Sequence, residues 1–125
     1  TQLRAAAEVA GGTASALSGR IAREVEKRRV SPAAWERDLM ALRYEIADMA
    51  PGPVREAALA AYAAQARAAV HLVTGARDRE RARREVLGAL DAEARMLRGE
   101  RLSAGERAAA EAAVADARRA CLETV

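Results

Sequence analysis

His71 and Cys121 are the only histidine and the only cysteine among 125 residues. These two side-chain types carry much of the proton-transfer, nucleophilic and soft-metal chemistry of proteins. In a helix, Arg67 lies one turn before His71, so a guanidinium and an imidazole would share one polar stripe and could contact a ligand or respond to pH. No Glu-x-x-His or His-x-x-x-His spacing accompanies His71, so neither a zinc nor a di-iron bundle is expected. Its expected role is that of a partly exposed helical histidine.

Cys121 has no second cysteine for a disulfide or a thiolate metal site. Arg118 could lower its pKa from one turn away, but the apolar face on which Cys121 falls suits a small core residue better. Nothing local couples it to His71. The glycines spell neither a phosphate-binding loop nor a dinucleotide fingerprint, and there is no nucleophile elbow. No catalytic residue, metal or cofactor is therefore assigned.

Two basic runs invite an anion. Lys27, Arg28 and Arg29 form one, and Arg77, Arg81 and Arg84 belong to the other. In an alternating up-and-down bundle they fall at opposite ends. The second run is also laced with acids, Asp78 at pairing distance from Arg81, Glu80 from Arg84 and Glu85 from Arg81. Overall, 21 basic residues face 18 acidic ones, a net charge of +3, and this interleaving weakens any long-range field. Nucleic-acid binding rests on these runs alone, because no stacking aromatics or helix-turn-helix glycine accompany them. Of the aromatics, Trp35 and Tyr62 fall on apolar stripes. Tyr44 lies off its seam and is the aromatic expected to meet a ligand or partner, with Arg67 and His71 as the other contact candidates.

The elements that must position these residues are helices. Alanine, arginine, leucine and glutamate dominate, phenylalanine is absent, and apolar residues recur every three to four positions. A first amphipathic helix is expected from Thr13 to Arg29, with Leu17, Ile21 and Val25 stacked. Ser31-Pro32 is a restart signal. It opens a second helix whose seam is Trp35, Leu39, Leu42, Ile46 and Met49, and which Pro51-Gly52-Pro53 ends. A third helix over Val54 to Thr74 is apolar around most of its girth, with Glu56, Arg67, His71 and Thr74 on a narrow polar stripe. Its alanines suit the centre of a bundle or an interface. The interruptions at Gln65, Arg67 and His71 argue against a membrane span within the apolar stretch Ala57 to Ala76.

A fourth helix is expected from about Asp78 to Arg98, with Val86, Leu87, Leu90, Ala94 and Leu97 inward. Ser103 and Glu106 have capping-box spacing and open a fifth, through Val114, Ala117, Cys121 and Val125. The fold expected is an all-α antiparallel bundle of four to five helices, one domain over 1–125.

Surplus apolar helix surface favours a non-enzymatic module for protein–protein association, self-association included. An extracytoplasmic ligand-sensing domain of a membrane receptor is the alternative, suggested by a bundle that opens at Thr1 without a methionine. An arginine-based electrostatic enzyme is a third reading, with no positioned acid, base or nucleophile to support it.

Overall fold

The computed structural model describes residues 30–124. The helix expected over 13–29, the cluster Lys27, Arg28 and Arg29, and Val125 lie outside the described residues. Five helical segments follow: α1 (Pro32–Ala47), α2 (Pro53–Arg67), α3 (Ala69–Thr74), α4 (Arg79–Leu97) and α5 (Ala104–Glu123). No strand occurs among the described residues, and the helices pack on one another as an all-α bundle.

Local chemistry sets the helix ends. The Ser31 hydroxyl accepts from the Ala34 amide, with Pro32 at the first helical position. Asp78 caps α4 through the Arg81 amide. Ser103 and Glu106 form a complete capping box at the start of α5. Gly75 ends α3.

The expected third helix is not continuous. It breaks at Ala68, where the His71 amide bonds the Ala68 carbonyl in the tighter three-residue pattern. No glycine or proline marks the break, so tertiary packing imposes it: α2 lies against α1 and α5, whereas α3 leans on α4, α5 and α1.

Side-chain links give the directions. Trp35 near the start of α1 meets Gln65 near the end of α2, and Arg55 at the start of α2 reaches Ile46 at the end of α1, so α1 and α2 are antiparallel. Arg107 bonds the Leu97 carbonyl and Arg118 pairs with Asp91, making α4 and α5 antiparallel too. Arg55 with Glu106 and Arg67 with Asp116 show α2 and α5 running the same way. Helices consecutive along the chain thus alternate in direction, with α3 carrying the chain across from α2 to α4.

The core sits where the periodicity places it. Trp35, Leu39, Leu42 and Ile46 are buried and Met49 is partly buried against them. Most alanines of α2 are buried, Ala57, Ala58, Ala61, Ala64 and Ala66, which lets neighbouring backbones approach closely with little side-chain entropy lost. Val86, Leu90 and Leu97 of α4 and Val114, Ala117 and Cys121 of α5 complete it. Among the described residues, no helix is long and apolar enough to cross a membrane.

Candidate functional site

The interior holds charges as well as apolar groups. Arg43 of α1, Glu93 of α4, and Arg55 and Gln65 of α2 are all buried. The Arg43 Nε donates to Glu93 Oε1 at 2.9 Å, and the Tyr62 hydroxyl donates to the same oxygen at 2.8 Å. Arg43 Nη1 also reaches Glu100. Burial pushes the Tyr62 hydroxyl upward, and the Glu93 charge adds to the effect, so tyrosine stays a neutral donor. The cavity against Arg43 and Tyr62 is about 10 Å³, no larger than one water needs. Three helices are locked here, with no room for an organic substrate.

Arg55 forms a second centre. Its Nε and Nη2 hold the two Glu106 oxygens at 2.9 and 3.0 Å. Nη1 donates to the carbonyls of Ile46 and Met49 at 2.7 and 2.6 Å, and Nη2 to that of Arg101 at 2.8 Å. Every guanidinium N–H is used. The Arg55 bond, followed by the Ser103 amide, holds the Glu106 carboxyl well below its ordinary value, at about 2. This one side chain joins the α1–α2 turn to the α4–α5 loop, so both lie at the same end of the bundle.

Arg43, Arg55 and Glu93 were not singled out as site residues from the sequence. A signal was present: Glu93 lies between Leu90 and Leu97 on the buried seam of α4, and Arg55 lies one turn before buried Ala58 and two turns before buried Tyr62. A charge at an apolar seam position marks a buried ion pair or a ligand contact.

The expected contact residues do not gather. Tyr44 is 57% exposed, with the Arg43 guanidinium carbon 4.6 Å from its ring centroid. Arg67 and His71 lie towards the opposite end, since α2 runs antiparallel to α1. Arg67 pairs at 3.7 Å with Asp116 of α5, and His71 is partly buried in α3.

Arg77, Arg81 and Arg84 are exposed. Arg81 pairs with Glu85 as its spacing suggests, but Glu80 pairs with Arg83, not Arg84, and Asp78 accepts from the Arg81 backbone, not its side chain. Cys121 is fully buried, and desolvation pushes its thiol up to about 11. Arg118 does not oppose this, because it pairs with Asp91. Among the described residues, no three His, Cys, Asp or Glu side chains converge as a metal site would require.

A groove of about 550 Å³ lies at the α1–α2 turn, lined by Glu45, Asp48, Met49, Ala50, Pro51, Gly52, Pro53 and Val54. Its walls at Asp48, Pro51, Pro53 and Val54 are exposed. Glu45 Oε2 is buried there without a hydrogen-bond partner. Acids and apolar side chains line the groove together, a surface suited to a cationic partner that also buries aliphatic area.

No protein-family model, characterised protein or solved structure matches this chain.

Proposed function

We propose that the chain is a non-enzymatic helical module for protein–protein association, with a second copy of itself as the first partner to consider. The surfaces that suggested this from the sequence, the α1 seam and the alanines of α2, are consumed inside the bundle. What supports the reading now is the groove at the α1–α2 turn, an open acidic and apolar concavity left after the interior charges have been bonded into the scaffold.

Small-molecule sites bury most of their ligand between converging walls. This groove has exposed residues for most of its walls and suits a protein surface better. The buried polar groups act as positioning elements: Arg43, Glu93 and Tyr62 fix three helices, and Arg55 fixes the end on which the groove sits.

Sedimentation velocity of the full chain over a wide concentration range, at low salt, tests the reading. A weight-average mass rising from monomer towards dimer is expected. A monomer at every concentration would overturn self-association.

A further inference from the structure

We propose that two copies meet through the turn end of the bundle, the acidic groove of each receiving Arg95, Arg98 and Arg101 of the other. This rests on the association reading above and names its site. The Met49 and Arg101 carbonyls are both bonded by the Arg55 guanidinium, at 2.6 and 2.8 Å. The acidic α1–α2 turn and the α4–α5 loop are therefore neighbours at one end of the bundle.

At that end the acids belong to the last turn of α1, the α1–α2 turn and the first turn of α2, and the arginines to the end of α4 and the loop after it. Glu45 and Asp48 in the groove and Glu56 in the first turn of α2 have no ion pair among the described residues, and neither do the exposed Arg95, Arg98 and Arg101. A helix dipole rationalises a cation in the last turn of α4 but not Arg101 in the loop beyond.

Three cations and three anions gathered at one end of the bundle can complement a second copy about a two-fold axis, which makes every contact twice and leaves neither set facing its own sign. Each set carries an exposed apolar side chain, Val54 among the acids at 45% and Met96 next to Arg95 at 52%. Glu45 lines the groove and its Oε2 has no hydrogen-bond partner, so a turn of this side chain outward would offer an entering guanidinium an acceptor.

Charge reversal tests the pairing. Asp48→Arg with Glu56→Arg makes one variant, and Arg98→Glu with Arg101→Glu the other, with helicity checked by circular dichroism. Each alone is expected to sediment as a monomer, and their equimolar mixture as a dimer. The neutral pair Asp48→Asn with Glu56→Gln guards against misfolding. It should raise the dimer Kd by about tenfold, the scale of a couple of surface pairs.

Wild-type dimerisation should weaken as salt is added. A dimer that persists in both reversed variants would overturn this interface and leave the association reading standing. A wild-type monomer would remove both. Monomeric variants that fail to recombine would refute the reciprocal pairing.

Discussion

Arg43 and Glu93 meet at 2.9 Å with both side chains only 3% exposed, joining α1 to α4 through the centre of the bundle. Tyr62 shares the Glu93 oxygen, so the carboxylate is the acceptor for two other helices. Removing it leaves a buried guanidinium N–H and a buried hydroxyl without their protein partner. Glu93→Ala should therefore destabilise the fold by about 3–5 kcal/mol, the usual loss when one member of a buried pair is deleted. Glu93→Gln keeps one acceptor oxygen and should lose less. The paired replacement Arg43→Met with Glu93→Leu should recover part of the deficit, since the guanidinium leaves with its carboxylate, while Glu100 and the Tyr62 hydroxyl each still lose a partner. Urea denaturation of the four proteins checks the order, and an alanine variant as stable as wild type would contradict it.

Glu106 sets an acid limb. Its folded-state pKa is lowered from 4.5 to about 2, first by the Arg55 hydrogen bond and then by the Ser103 amide. A lowered carboxylate pKa contributes stability that is fully present above the unfolded value and is lost as pH falls through the folded value. This part of the stability should decline between about pH 4.5 and pH 2. Glu106→Gln should be less stable than wild type at neutral pH, and the two curves should converge near the acid end. Urea midpoints across that range measure the convergence. A constant gap at all pH values would assign the cost to packing.

Cys121 is expected to be unreactive. Burial raises its thiol to about 11 although Arg83 opposes the shift, so little thiolate exists at neutral pH and none is accessible. Reaction with an aromatic disulfide reagent should be slow in buffer and fast in urea, with a native rate that follows global opening. Fast labelling of the native protein would mean that the α5 face bearing Cys121 is looser than its packing implies.

Reading the sequence located the apolar stripes because periodicity is a local property. Trp35, Leu39, Leu42 and Ile46 repeat with helical spacing, and the cores they predict are those observed. Caps were equally legible, since Ser31-Pro32 and Ser103 with Glu106 act over four residues or fewer. Glu93 is harder to place, because a charge is ordinarily assigned to solvent and its partners Arg43 and Tyr62 are remote in sequence. Only the packing of three helices makes that position interior. The break at Ala68 escaped for a related reason, because the segment is alanine-rich and a strong helix former throughout. The groove depends on how the α1–α2 turn is pinned by Arg55, which no local pattern encodes.

Two glycines separate backbone strain from space. Gly52 has φ +149°, a conformation that side-chain-bearing residues rarely adopt, yet a Cβ there would meet nothing within 4 Å. Gly88 is equally open but sits within α4. If free space decided the outcome, both alanine substitutions would be tolerated. Conformation decides instead: Gly52→Ala should cost about 1–3 kcal/mol, the scale of a residue held in a glycine-only region. Gly88→Ala should stabilise by about 0.5–1 kcal/mol, because alanine loses less backbone entropy in a helix. Thermal or urea unfolding of the two variants gives opposite signs on this argument. Gly52 also lines the proposed docking groove. A Gly52→Ala protein that stays folded should therefore lose dimer affinity along with stability, whereas Gly88→Ala should leave the dimer Kd unchanged.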